Sequence, residues 1–181
     1  MNLPQQLQEY LKYPALQIID ANTGLPADGK AFDALGQSVL ITFLAGLYKA
    51  TRIKENAVVL SSQTNATQLI NTIFNNEGEV LHTIAGYTNE PINIVKVKLA
   101  EVSHSYITFL QENATADETK KEGYLQNMMT GQRSEILKYV PGGLKLGDLL
   151  NDPSLEDNTN KMQGPISTLM HKIENVFSAP D

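Results

Sequence analysis

The residues from Phe32 to Lys49, FDALGQSVLITFLAGLYK, form the most apolar run of the chain and constrain its fold more than any other stretch. Their only charged members are Asp33 and Lys49, close to the two ends. Apolar residues recur in two rows at helical spacing, so a helix here must be enclosed by other helices or by lipid. The uncharged part has about fifteen residues, fewer than the roughly twenty that cross a bilayer. We therefore predict a central apolar helix at about residues 31–51, without a membrane span.

Amphipathic helices are predicted on both sides of this central helix. The clearest runs from Ile92 to Phe109, where apolar residues recur at alternating steps of three and four. Asn65, followed by Gln68, resembles a capping box at the start of another helix. The pattern as a whole predicts an all-α fold, a multi-helix bundle around the central helix.

Three further segments carry specific expectations. Pro14 predicts the first turn of a short helix that includes Ile18 and Ile19, and Pro165 predicts the start of the last helix. Ala57–Leu60 has the apolar character of a short strand, but a lone strand has no partner, so we predict an apolar connector. With 181 residues the chain is long enough for one domain with a substantial core. We expect a single all-helical domain over 1–181, with 113–116 as the candidate boundary between subdomains.

Composition narrows the classes of partner and of chemistry. The formal net charge is −6, and an acidic surface repels phosphate backbones, so we expect no nucleic acid partner. The chain has no cysteine, which excludes disulfides, thiolate metal sites and thiol catalysis. Its N-terminal residues lack the basic and apolar regions of a secretory signal, so we expect a cytoplasmic protein.

Each histidine lies three residues from a glutamate, which is the one pattern that suggests a metal-dependent enzyme. Glu79 with His82, and Glu101 with His104, follow the order found in di-iron carboxylate bundles. However, Glu101 and His104 point about 140–160° away from the centre of the apolar stripe, because a helix turns 100° per residue. We therefore interpret these four residues as surface pairs and name them only as candidate metal ligands; we expect no cofactor.

A weak resemblance covers the residues from Tyr124 to Leu150. Gly131-Gln132-Arg133, then Val140-Pro141-Gly142-Gly143-Leu144 and Leu146-Gly147 resemble the pattern of an uncharacterised bacterial all-helical domain family. In that family a leucine is usual where this chain has Val140. The resemblance implies a helical fold and a bacterial protein. It implies no activity, because no catalytic residue is associated with the pattern.

Three hypotheses for the function remain open at this point. The preferred one is a non-enzymatic helical protein that acts through protein contacts or homo-oligomerisation. The first alternative is a binder of an apolar small molecule or lipid in a cavity beside the central helix, where Gly36, Ala45 and Gly46 leave room. The second alternative is the carboxylate–histidine metal-dependent enzyme.

Overall fold

The computed structural model describes residues 2–20, 26–113 and 118–155, and in these residues the fold is all-α, which confirms the predicted class. The helices are α1 Leu3–Tyr10, α2 Ala34–Thr51, α3 Lys54–Ser62, α4 Ala66–Ile73, α5 Glu77–Thr88, α6 Ile92–Asn113, α7 Glu118–Thr130, α8 Arg133–Leu137 and α9 Leu146–Leu149. Single 3-10 turns at Gly142–Leu144 and Pro153–Leu155 flank α9. The predicted last helix, and most of the predicted link at 113–116, lie outside the described residues.

Helix α2 is the predicted central helix, and it begins three residues later than expected. The Asp33 side chain caps its first turn by accepting a hydrogen bond of 2.8 Å from the backbone N–H of Gly36. Every residue from Gly36 to Leu47 is buried. Helices α1 and α3 to α8 all pack against α2, so its continuous apolar surface is enclosed on every side by protein.

Helix α6 supplies the longest partner of α2 and largely follows the predicted stripe. Val95, Leu99, Val102, Tyr106 and Phe109 are buried, whereas Ile92, which we placed in the same stripe, is exposed. The ring of Tyr106 meets that of Phe43 on α2 edge to face, with 5.4 Å between the centroids. The stripe therefore becomes a buried face only from the second turn of α6 onward.

The helix predicted at Pro14 is wrong, because the backbone from Tyr13 to Ile18 is not helical. Gln37, buried on α2, accepts a hydrogen bond of 2.8 Å from the Gln17 N–H and donates to the Gln17 carbonyl at 2.7 Å. Its side-chain nitrogen also donates to the Tyr139 carbonyl at 3.0 Å. One buried side-chain amide thus satisfies three backbone groups that lie outside the helices.

The connector predicted at Ala57–Leu60 is also wrong, because these residues lie inside helix α3. Ala57 and Leu60 are three residues apart, and both are buried. Helix α3 packs against α2, α4 and α7. The predicted helix start at Asn65 is confirmed, since its side chain accepts a hydrogen bond of 3.1 Å from the Gln68 N–H.

A polar cluster fixes the last described residues to the end of α2. The Arg52 guanidinium lies 2.8 Å from the Asp152 carboxylate and donates to the Ser154 hydroxyl at 3.0 Å. The Ser154 N–H and hydroxyl both donate to Asp152, and Arg133 donates to the Ser154 carbonyl. Burial raises the pKa of Asp152, but the hydrogen bonds from Ser154 and the charge of Arg52 outweigh it and lower the pKa overall.

Candidate functional site

Two apolar side chains, Ile94 and Val97, are exposed on one side of the first two turns of α6, and we call them the α6 surface. Ile92 and Ile94 are each 40% exposed, and Val97 is 66% exposed. At 100° per residue, Ile94 and Val97 lie about 60° apart around the helix axis, whereas Ile92 lies about 160° from Ile94 and outside this surface. Adjoining exposed apolar side chains mark contact sites, whereas single ones are common on proteins. Val97 lies about half a turn from the buried Val95.

Ion pairs flank the α6 surface and balance its charges. The Lys96 ammonium lies 4.0 Å from the Glu77 carboxylate on α5, and the Lys98 ammonium lies 3.0 Å from Glu101 one turn further along. Each lysine beside the apolar side chains therefore has a carboxylate of its own chain nearby. The surface is apolar at its centre and has little net charge at its edges.

The candidate metal ligands are all exposed on α5 and α6. His82 Nδ1 lies 2.7 Å from the Gly78 carbonyl, and Glu79 lies 3.3 Å from the Asn76 amide nitrogen at the start of α5. Glu101 pairs with Lys98. His104 lies about one turn beyond Glu101, on the same side of α6. Within the described ranges, no three histidine, aspartate or glutamate side chains come together in an arrangement that could hold a metal ion. The third pair, His171 and Glu174, lies outside those ranges.

Tyr13 is a buried titratable residue that contacts Lys98 of α6. The Lys98 ammonium lies over the Tyr13 ring, 4.6 Å from the ring centroid, and the negative face of the ring attracts this cation. Burial raises the pKa of Tyr13 well above its ordinary value, and the negative charges of Glu101 and Asp33 raise it further. The Tyr13 hydroxyl accordingly stays protonated near neutral pH.

Gly46 lies where a cavity beside the central helix was expected to have room. A Cβ atom built on Gly46 would lie only 2.6 Å from Ile73 Cγ2 and 2.6 Å from Phe74 Cε1. Both neighbours are buried at the end of α4. The missing side chain at Gly46 therefore allows α4 to pack closely against α2, and the adjacent space is filled by protein atoms.

A second group of exposed apolar residues lies on α3, and we call it the α3 surface. This surface consists of Val58 and Val59, which are 45% and 42% exposed. Ile53 is 51% exposed, but it is the N-cap residue before α3 and lies on the side of Ala57. The opposite side of α3 carries the buried Ala57 and Leu60. Helix α3 is therefore packed on one side and has uncovered apolar side chains on the other.

Sequence reasoning identified the exposed metal candidates but missed both apolar surfaces. The signal was present in INIVKVKL, where apolar residues outside the three-four stripe alternate with polar ones. A helix that carries such a segment must point some of these side chains away from its buried face. Alternation inside a helical pattern can thus indicate a contact surface as well as a strand.

The arrangement defines a class of protein: an all-α bundle with a fully enclosed central helix and exposed apolar side chains on α3 and α6. No family model matches the chain, and neither a curated protein nor a solved structure matches it. Among the described helices, none combines the length and apolar character needed to cross a membrane.

Proposed function

We propose that this chain is a non-enzymatic, cytoplasmic bacterial protein that acts through protein contacts, and that the α6 surface joins two copies of it. The observation that carries the proposal is the exposure of Ile94 and Val97 on one side of the first two turns of α6. Apolar side chains grouped in this way gain free energy when a partner removes them from water.

Charge balance supports a second copy of the chain as the partner. In a symmetric dimer the same surface of each copy meets its counterpart, so any unpaired charge would face a like charge. Lys96 and Lys98 lie beside Glu77 and Glu101 of their own chain, which reduces that repulsion. The apolar side chains can then contact their equivalents across a two-fold axis.

Light scattering coupled to size exclusion tests the proposal. We expect a dimer to form as the protein concentration rises from about 1 to about 100 μM, a range that corresponds to the dissociation constants of weak homodimers. Val97→Lys should shift the protein to monomer, because it places a charge at the centre of the α6 surface. Val59→Lys on α3 is the matched control and should leave the dimer intact.

Two results would contradict the proposal. The first is a strict monomer over the whole concentration range that also retains no partner protein in a pull-down. The second is a dimer that Val97→Lys and Val59→Lys weaken equally, since this would place the contact elsewhere or make it non-specific.

A further inference from the structure

Residues 142–155, which we call the strap, consist of short turns that cannot hold themselves in place. They comprise the 3-10 turn Gly142–Leu144, the four-residue helix α9 and the 3-10 turn Pro153–Leu155. The Leu150 and Asp152 N–H groups donate to carbonyls four and five residues earlier, within the strap itself. Isolated helices shorter than about 12 residues are marginal in water, so the strap depends on contacts with the rest of the chain.

The apolar contacts of the strap are sparse for its length. Four of its 14 residues belong to the hydrophobic core: Leu144, Leu146, Leu150 and Leu155. Helix α2 contributes eight of its 18 residues to the same core. Ordering a residue costs a similar amount of entropy in both segments, so the strap gains less from apolar burial for each residue that it orders.

Three cationic side chains hold the second half of the strap. Lys49 on α2 and Arg133 on α8 each donate to a backbone carbonyl of the strap. Arg52, which follows the last residue of α2, lies 2.8 Å from the Asp152 carboxylate and donates to the Ser154 hydroxyl at 3.0 Å. Ser154 donates to the same carboxylate, so the contacts converge on Asp152. Hydrogen bonds to an ionised group are stronger than neutral ones, and the charge of Asp152 therefore contributes to closure.

The closed strap also maintains an unfavourable backbone conformation at two residues. Lys145 has a φ of 44° and Asn151 has a φ of 50°, both in the left-handed region that a side chain disfavours. Opening relieves this cost. Gly142 and Gly143 stand at the start of the strap, and glycine changes its backbone conformation with little steric penalty, so the strap can move about this point.

We propose that the strap opens as a unit while helices α1 to α8 remain folded, and that the Asp152 carboxylate holds it closed. Opening frees Lys49 and Arg52 from their partners in the strap, so the C-terminal end of α2 changes from a neutralised surface to a cationic one. The strap is thus a conformational device that controls which charges this end of α2 presents. The inference does not depend on the proposed dimer, because every contact that closes the strap lies within a single chain.

Hydrogen exchange of the full chain, followed by NMR, tests whether the strap opens separately from the bundle. The amides of Leu150 and Asp152 report on the strap, and the amide of Phe43 reports on α2. The test variant is Asp152→Asn, which removes the charge with little change of shape. The matched variant is Ile73→Val, which shortens a buried side chain of α4 and destabilises the bundle itself.

The two variants should separate local opening from global unfolding. We expect Asp152→Asn to accelerate exchange in the strap about tenfold, because the closed form loses its charged hydrogen bonds. Ile73→Val should accelerate exchange in α2 about fivefold and leave the strap unchanged, because α4 stays folded whether the strap is open or closed. Equal acceleration of the strap and α2 by Ile73→Val would overturn the proposal, since the strap would then open only when the whole chain unfolds. Unchanged exchange of the strap in Asp152→Asn would also overturn it.

A second measurement needs no substitution. In low concentrations of urea, exchange in the strap of the wild-type protein should depend only weakly on the urea concentration, because opening 14 residues exposes little surface. Exchange in α2 should depend on it steeply, since it requires global unfolding. Equal urea dependence in the two segments would contradict separate opening of the strap.

Discussion

Gly46→Ala is the substitution for which the structure allows the sharpest prediction. The new Cβ would lie 2.6 Å from Ile73 Cγ2 and 2.6 Å from Phe74 Cε1, distances at which atoms must move apart. Ile73 and Phe74 are buried, so neither can turn into solvent. Helix α4 would have to shift away from α2, or the two side chains would have to adopt strained rotamers.

Two opposing terms set the size of the effect. Alanine favours the helix over glycine by about 1 kcal/mol, because glycine loses more backbone freedom on folding. Overpacking a well-filled core costs about 1–3 kcal/mol. We therefore expect Gly46→Ala to lower the free energy of unfolding by about 1 kcal/mol.

Gly86→Ala on α5 is the matched control. Gly86 is exposed, and a Cβ built on it would meet no atom within 4 Å. This variant should gain up to about 1 kcal/mol from helix propensity alone. The two alanine variants should thus differ by about 2 kcal/mol, or about 4–8 °C in melting temperature for a chain of this size. Urea denaturation followed by circular dichroism measures the free energy of unfolding of both variants, and thermal denaturation measures their melting temperatures.

A double-mutant cycle assigns the cost of Gly46→Ala to its neighbours. Phe74→Leu removes Cε1, one of the two atoms that would lie 2.6 Å from the new methyl group, so the two substitutions together should be less destabilising than their sum by about 1 kcal/mol. The reasoning would be refuted if Gly46→Ala stabilised the protein as much as Gly86→Ala. That result would mean that the helices do not approach each other closely at this glycine.

Three further predictions concern charges and metal. Asp152→Asn should cost about 1–2 kcal/mol at pH 7, because it removes the charge that Arg52 and Ser154 stabilise. Since the folded pKa of Asp152 is lowered, this stabilisation is present above about pH 4 and is lost as the pH falls towards 2; urea titrations of both proteins at pH 7 and pH 2 measure it. Because the folded pKa of Tyr13 is raised, wild-type stability should fall above about pH 10 more steeply than that of Tyr13→Phe, and parallel alkaline melting curves would contradict this. Finally, elemental analysis of purified protein should find no stoichiometric iron, manganese or zinc, because the carboxylate–histidine pairs of α5 and α6 are exposed; a stoichiometric metal would restore the enzyme hypothesis.

The central helix could be predicted from the sequence because its apolar character is continuous. No amphipathic alternative exists for the residues from Gly36 to Leu47, so burial on all sides was the only arrangement compatible with their composition. The start of α4 was predictable for a different reason. Asn65 caps its helix through a contact three residues away, which is a local interaction that the sequence displays directly.

The errors arose where distant contacts decide the local conformation. Pro14 is compatible with a helix start, but Gln37 binds the backbone of Gln17 from twenty residues away. Ala57 and Leu60 are too few apolar residues to predict a helix, and their burial depends on packing against α2, α4 and α7. The α6 surface was missed because a periodic pattern identifies the buried face of a helix but does not report apolar residues outside it.

The hydrogen bonds at the N-terminal end have a consequence for the order in which the chain folds during its synthesis. The Leu3 N–H donates to Gln132 at 2.9 Å, the Asn2 amide donates to Glu135 at 2.7 Å, and Gln37 donates to the Tyr139 carbonyl. A ribosome releases the first residues long before it has joined residues 132–139 to the nascent chain. Helix α1 can therefore pack against α2 and α6 before residues 132–139 are available, but the hydrogen bonds that fix its first residues form only after α8 has been synthesised.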